Sequence, residues 1–264
     1  MTFSPEWLFL REPVDHRSRN EVVAAAVRDH FAAHDRVNVV DLGAGTGANL
    51  RFTRRLLPRR QHWLLVDGDQ RLLDRSGAGQ EDASGQDLTS ATLCTDLSRG
   101  LDRAAEDAAL DLVTASALFD LVSADWIDHV SDWVARRRLP VYASLTYDGR
   151  ESWLPAHPDD AQVHQFFLSD QRRDKGFGPA MGPEAWHYLS ECLEARGYRV
   201  VFGRSDWMLD AGDRALIAAL ADAVARPMIE TGEEQAELAS RWAWERREAD
   251  SCIIGHVDLF AYPL

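Results

Sequence analysis

The segment that most constrains this chain is 37–57. A short β-branched run, VNVVDL, passes through Gly43, Ala44, Gly45, Thr46 and Gly47 into ANLRFTRRLL, whose apolar residues return to helical spacing until Pro58. A strand that enters a helix through glycines turns backbone N–H groups and the positive helix end toward the carboxyl edge of a sheet. The missing Cβ atoms let a ligand reach the main chain there.

The rest of the chain repeats the alternation. Residues 20–34 form a helical face with Asn20 as its cap, and HWLLVD at 62–67 reads as a second buried strand. A short helix to about Ser76 and a polar loop, SGAGQEDASGQDLTS, follow. Strands are expected at 91–95, 110–116 and 139–147, with the helix ADWIDHVSDWVARRR before the last of them. Pro183 to Arg196 reads as a helix ended by Gly197. After YRVVFGRSDWML come helical stretches at about 211–225 and 233–249 and a final strand-like SCIIGHVDLFAY. Such regular alternation implies a mostly parallel sheet covered on both faces. The segment 148–182 is too long for an ordinary connection and is a candidate lid. No internal repeat is present.

At 264 residues and 45% hydrophobic composition, a single α/β domain carrying an elaboration is the expectation. A net charge of -14 opposes binding to a nucleic-acid backbone or an anionic membrane. The arginine clusters at 54, 55, 59, 60 and 136–138 sit at predicted helix ends, where cations favour the C-terminal dipole. Cys94, Cys192 and Cys252 are widely spaced, with no Cys-x-x-Cys pair, which argues against a disulfide framework and a structural zinc site; no metal is expected. Charges at Glu6, Arg11, Glu12 and Asp15 interrupt the N-terminal segment, so neither a signal peptide nor a membrane span is drawn and a cytoplasmic location is expected by default. Lys175 is the chain's one lysine.

The glycine loop alone is ambiguous, because Gly43, Gly45 and Ala48 also satisfy the dinucleotide-binding Gly-x-Gly-x-x-Gly/Ala pattern. Two details tilt the choice: Asp41 immediately precedes the glycines, and Gly47 follows Gly45 by two positions. VVDLGAGTG resembles, at every position, the first motif of the class I S-adenosylmethionine-dependent methyltransferases. That resemblance covers roughly residues 20–147. It implies an α/β, Rossmann-like, doubly wound, mostly parallel seven-stranded sheet with helices on both faces and an inserted lid after strand five. It also implies a division into an N-terminal helical cap (1–36), a cofactor-binding half (37–147), the insertion (148–182) and a C-terminal part of the sheet (183–264).

The cofactor implied is S-adenosylmethionine. By the resemblance, Asp41, Gly43, Ala44, Gly45, Thr46, Gly47 and Asn49 form its cradle, and Asp67, with Gly68 beside it, holds the ribose hydroxyls. A carboxylate accepts two hydroxyl protons well. Asp96 falls near the adenine amino group with Leu97 against the ring, and Ser116, Ala117 and Leu118 border the methionine part. Arg19 is either a bidentate clamp for the cofactor carboxylate or a plain surface arginine.

Methyl transfer from a sulfonium is an in-line displacement, so the protein must align the acceptor and exclude water. An alcohol or ammonium acceptor needs a base and a carboxylate acceptor does not. Asp120, two residues beyond Leu118, is the better candidate for a catalytic carboxylate. His164 is a candidate base or a packed histidine, and Leu121 stands where many relatives of the family place histidine. Candidate substrate contacts are Tyr147, Gln171, Arg172, Lys175 and Phe177, with Gly176, Gly178 and Gly182 as hinges. Where arginine is the chain's habit, the compact ammonium of Lys175 suggests a point contact with an acidic group on the substrate or the protein. The nine tryptophans read as core filling ahead of an aromatic cage for a cationic substrate.

The reading that follows is S-adenosylmethionine-dependent O- or N-methylation of a small molecule. Nucleic acid and membrane are not expected as partners, and homo-oligomerisation is left open. Two alternatives stand beside it. A nicotinamide-dependent oxidoreductase would use Gly43, Gly45 and Ala48, although no Tyr-x-x-x-Lys pair is present; a non-catalytic S-adenosylmethionine-binding protein is the other.

Overall fold

The computed structural model describes residues 3–77, 87–102 and 109–264. Its central strand, β1 (Arg36–Leu42), pairs in parallel with β2 (Arg60–Asp67) on one side and β4 (Leu112–Ser116) on the other. β3 (Asp87–Cys94) extends the sheet beyond β2, and β5 (Val141–Leu154) extends it beyond β4, again in parallel. β8 (Ser251–Pro263) runs antiparallel between β5 and β6 (Tyr198–Arg204). The order is β3-β2-β1-β4-β5-β8-β6, and an eighth strand, β7 (Trp207–Leu209), pairs with the first residues of β8. This is the expected doubly wound sheet with one strand more than the seven anticipated. β8 is long enough to take β6 along one half and β7 along the other.

Parallel strands buried on both faces need apolar residues on both, and β1 supplies them. Val37 and Val39 pack with Val23, Val27 and Phe31 of α2 (Glu21–Phe31) and Leu50 of α3 (Ala48–Thr53). Val40 and Leu42 face Ile127, Val130 and Trp133 of α6 (Ala124–Arg137) and Leu189 of α8 (Ala185–Glu194). α2 begins as predicted, with Asn20 Oδ1 accepting the Val23 amide hydrogen at 3.0 Å. Short helices α4 (Gln70–Leu73) and α5 (Leu97–Gly100) follow β2 and β3. α4 is shorter than the helix expected to reach Ser76.

β3 begins at Asp87, inside the stretch expected as loop, of which 78–86 lie outside the described residues. Two further regions differ from the sequence-based expectation. The N-terminal segment forms α1 (Pro5–Arg17), whose Ser4 hydroxyl accepts the Trp7 amide hydrogen at 3.1 Å with proline in the first turn. The 148–182 segment is not one loop. β5 runs through it to Leu154, past register shifts opposite β8 and past Leu145, which sits at φ +52 with its N–H donated to Asp258 Oδ1 at 2.8 Å. α7 (Asp160–Gln171) follows and packs on α9 (Arg214–Ile229), with α10 (Glu233–Arg246) behind. The far ends of β5 and β8 and these helices enclose a third core containing Trp153, Trp207, Trp242, Leu220 and Cys252. Only the stretch after Gln171 retains the loop character expected of a lid.

Candidate functional site

β1, β2 and β4 end together at the carboxyl edge of the sheet, where the strand order reverses between β1 and β4 and ligands of open α/β sheets bind. A cavity of about 650 Å³ opens there. Gly43 and Gly45 form its floor at φ +67 and +53, a left-handed backbone that side chains rarely adopt. A Cβ on Gly45 would stand 3.2 Å from Leu8 Cδ1, and one on Gly43 would stand 3.2 Å from Leu118 Cδ1. The carboxylate of Asp67 ties the loop to β2: Oδ2 accepts the Gly45 N–H at 2.9 Å and Oδ1 accepts the Asp69 N–H at 2.9 Å. Burial raises its pKa, against the opposing pull of those amides.

Ala44, Gly45, Thr46, Asn49, Asp67, Gly68, Asp96 and Leu97 all line this cavity, as do Ser116, Ala117, Leu118, Lys175 and Phe177. The buried Thr46 hydroxyl has no hydrogen-bond partner in the chain. Asp96 caps α5 by accepting from the Ser98 amide at 2.9 Å and hydroxyl at 2.7 Å, which lowers its pKa. Ala117 adopts φ +51 and donates its N–H to Ser144 O, which turns the chain away from β4 under the cavity.

Three residues of the proposed cradle stand elsewhere. Gly47 caps α3 behind the loop. Asp41 and Arg19 lie one layer beneath the wall. Asn49 Nδ2 donates to Asp41 Oδ1 at 2.7 Å and to Thr114 Oγ1 at 2.9 Å. Arg19 Nη2 donates to Asn49 Oδ1 at 3.1 Å and Ser116 Oγ at 3.3 Å. Arg19 is therefore neither a surface arginine nor a wall residue: it holds two side chains that are on the wall. Burial pushes Asp41 up to about 7, which the Asn49 hydrogen bond and the Arg19 charge only partly oppose.

A second cavity, of about 890 Å³, meets the first at Phe3, Arg11, Ala117, Leu121 and Lys175. Asp120, Tyr147 and Gln171 line it as the sequence suggested. Asp120 is 7% exposed, its Oδ1 has no partner, and burial raises its pKa to about 6. Lys175 lies at the junction, its side chain 6% exposed, with Nζ 2.6 Å from Asp170 Oδ2; the acidic group it meets within the fold belongs to the protein. Phe177 packs edge-on to Trp126 at 5.5 Å.

Two candidates leave the wall. Arg172 is exposed and pairs with Glu184 at 3.7 Å, while its neighbour Arg173 lines the cavity. His164 stands behind Tyr147, its Nε2 3.2 Å from the Tyr147 hydroxyl, and burial lowers its pKa. The sequence reading missed Phe3, Trp7 and Arg11 of the N-terminal segment, together with Glu151, Trp207 and His256. The Ser4-Pro5-Glu6 start of α1 was a legible signal for the first group. Glu151 is carried by the part of β5 beyond Gly149. Its side chain is 3% exposed, Oε1 accepts from Trp153 Nε1 at 2.5 Å, Oε2 has no hydrogen-bond partner, and burial lifts its pKa to about 7. His256 is buried between Tyr147 and Trp207, and desolvation lowers its pKa to about 3, so it stays neutral.

Among the described residues no group of three or more His, Cys, Asp or Glu side chains is placed to hold a metal ion. Cys94, Cys192 and Cys252 are free thiols. No described helix is long and apolar enough to cross a membrane.

No family model matches the sequence, and no curated protein matches it. Solved structures do match. A cyclopropane-fatty-acyl-phospholipid synthase-like protein from Lactobacillus casei is 14% identical, with 97% of this chain and 92% of that chain covered and a TM-score of 0.56. Loganic acid methyltransferase, solved with SAH, is 10% identical, with 97% and 95% covered and a TM-score of 0.53. A mycolic acid cyclopropane synthase complexed with SAH and CTAB is 11% identical, with 97% and 94% covered and a TM-score of 0.52. The likeness is one of fold: the chain has the fold of the class I S-adenosylmethionine-dependent methyltransferases.

Proposed function

We propose that this chain is an enzyme that transfers the methyl group of S-adenosylmethionine to an oxygen or nitrogen of a small molecule. The observation that carries the reading is the meeting of two cavities at Ala117 and Leu121. One holds the glycine floor and Asp67, and the other holds Asp120.

The first cavity fits the cofactor. Its volume suits a ligand of that size, a Cβ at Gly43 or Gly45 would crowd Leu118 or Leu8 in its lining, and Thr46, also in that lining, has a buried hydroxyl with no partner. Asp67 retains lone pairs on both oxygens after accepting the Gly45 and Asp69 amides, enough for two ribose hydroxyls. Ser116, held by Arg19, brings a further hydroxyl to the same lining, whereas the Asn49 amide is taken up by Asp41, Thr114, Arg19 and Thr53. When bound, S-adenosylmethionine supplies a methyl group on a sulfonium, open to in-line displacement.

On the acceptor side, Asp120 is positioned to take the proton from an acceptor O–H or N–H. A carboxylate near pKa 6 is ionised at neutral pH yet basic enough to hold that proton. Leu118, Leu121 and Phe177 exclude water around the junction. The small-molecule acceptor is supported by the size of the second cavity, about 890 Å³, and by a net charge that repels nucleic acid and anionic membrane. Free, widely spaced thiols accord with a cytoplasmic location.

Titration calorimetry with S-adenosylhomocysteine tests the reading, followed by transfer of labelled methyl from S-adenosylmethionine to a panel of alcohols and amines. Micromolar binding and label transfer are expected. No heat with either form of the cofactor overturns the assignment, and binding without transfer to any acceptor reduces it to a binding protein.

A further inference from the structure

Resting on the methyl-transfer reading, we infer that the acceptor carries a cationic nitrogen on an apolar body, and that Glu151 is the residue that binds the ammonium in the second cavity.

The charges facing that cavity are mostly spoken for by the protein itself. Lys175 Nζ is paired with Asp170 at 2.6 Å, Arg173 reaches the same carboxylate at 3.3 Å, and Arg11 Nε is paired with Asp15 at 2.9 Å. Asp222 is taken by Arg247 at 2.8 Å, and Asp174 accepts the amides of Gly176 and Gly178. Arg226 and Glu230 are exposed to solvent. Asp120 and Glu151 are different. The side chain of each is more than nine-tenths buried, each residue lines the cavity, and each has a carboxylate oxygen with no hydrogen-bond partner. The nearest cationic candidate for Glu151 Oε2, His164 Nε2, is 3.9 Å away and engaged by the Tyr147 hydroxyl at 3.2 Å.

Isolated buried carboxylates are costly unless something of opposite charge or a strong donor meets them. An ammonium meets both needs, whereas an anionic acceptor would add a further negative charge to the same space. The surrounding wall supports the choice, because the aromatic residues Trp7, Tyr147, Phe167 and Trp207 line the cavity, surroundings that suit a cation on an apolar body. The Trp207 ring already stacks a guanidinium, with Arg11 Cζ 5.0 Å from its centroid. Asp120 is left for the proton-accepting role, since Leu121, its neighbour, forms the junction with the first cavity.

The test compares three isosteric probes on the full-length protein: 2-phenylethylamine, 2-phenylethanol and phenylacetate. Each is titrated calorimetrically with and without saturating S-adenosylhomocysteine. The amine is expected to bind about ten-fold or more tightly than the alcohol, with phenylacetate weakest. Glu151→Gln keeps an acceptor for Trp153 Nε1 and is expected to remove the amine's advantage, leaving the affinities for the alcohol and S-adenosylhomocysteine unchanged. Equal binding of amine and alcohol, tighter binding of phenylacetate, no amine binding at millimolar concentration, or an equal loss for amine and alcohol in Glu151→Gln overturns the inference. The comparison in wild type needs no variant to fold. A chain that prefers the amine but gives no heat with S-adenosylhomocysteine refutes the methyl-transfer reading separately.

Discussion

Asp67 Oδ2 accepts the Gly45 amide hydrogen at 2.9 Å, so the end of β2 and the floor of the glycine loop are held at a fixed separation before any ligand arrives. The carboxylate thus serves two purposes, fixing the loop and offering its remaining lone pairs to the cavity. Asp67→Ala is predicted to raise the dissociation constant for S-adenosylhomocysteine about 100-fold, and Asp67→Asn about 10-fold, because asparagine keeps one acceptor oxygen. Calorimetry decides; an unchanged affinity in Asp67→Ala refutes the role.

Gly45→Val places a branched side chain at φ +53 and within 3.2 Å of Leu8 Cδ1. Removing the clash with Leu8→Ala does not remove the backbone strain of about 1–3 kcal/mol. We predict that the single variant loses S-adenosylhomocysteine binding by ten-fold or more, and that the Leu8→Ala, Gly45→Val double variant remains impaired. Full recovery in the double variant would show that side-chain space, not the left-handed backbone, governs the loop.

With Asp120 as the base of the proposed methyl transfer, the pH profile has a definite shape. A base works when deprotonated, so kcat/KM is predicted to rise as pH increases through about 6 and to level above it. The charge facing this carboxyl is Arg11 from α1, and the backbone N–H of Tyr147 in β5 donates to it. Asp120→Asn is expected to lower kcat/KM by about 10²–10⁴-fold and to flatten the acid limb while leaving S-adenosylhomocysteine affinity intact. A retained acid limb in that variant assigns the titration to another group.

Lys175 and Asp170 form a largely buried pair at 2.6 Å. Lys175→Met is predicted to cost about 1–3 kcal/mol of folding stability in urea titrations, since Asp170 loses its ammonium partner. Asp170→Asn in the same chain should recover part of that loss. Strict additivity of the two single changes would show that the pair is uncoupled.

Asp41 gives a stability prediction with a definite sign. Burial holds its folded pKa near 7, against an ordinary value of 3.8. The fold therefore favours the protonated form: this group's contribution is greatest below pH 3.8, declines as pH rises through about 7, and is constant above. Asp41→Asn keeps an acceptor for Asn49 Nδ2 and removes the titration. Its stability relative to wild type is predicted to climb between those limits, by on the order of 4 kcal/mol at most. A gap that does not change with pH contradicts the buried-acid account.

Much of the cofactor side was legible in the sequence because glycine and strand periodicity are local signals. Gly43–Thr46, Asp67 and Ser116–Leu118 stand at one sheet edge, as the resemblance implied. What local signals cannot carry is depth. Asp41 and Arg19 lie a layer beneath Asn49 and Ser116, and nothing in a linear pattern separates a wall residue from the one supporting it. On the acceptor side, the strand expected from sequence ends at 147 with a lid from 148, yet β5 continues because β8 supplies a long partner through the irregularity. That hidden extension carries Glu151. The phase at the end of α7 likewise sent Arg172 outward and put Arg173 on the wall.

The partition built from Phe3, Arg11, Ala117, Leu121 and Lys175 faces both chambers. Occupancy of either side therefore presses on the same side chains, and Michaelis constants for donor and acceptor should drift together when any of them is altered. On the proposed reading, coupling between donor and acceptor would arise at these shared lining residues, with no signal relayed over distance.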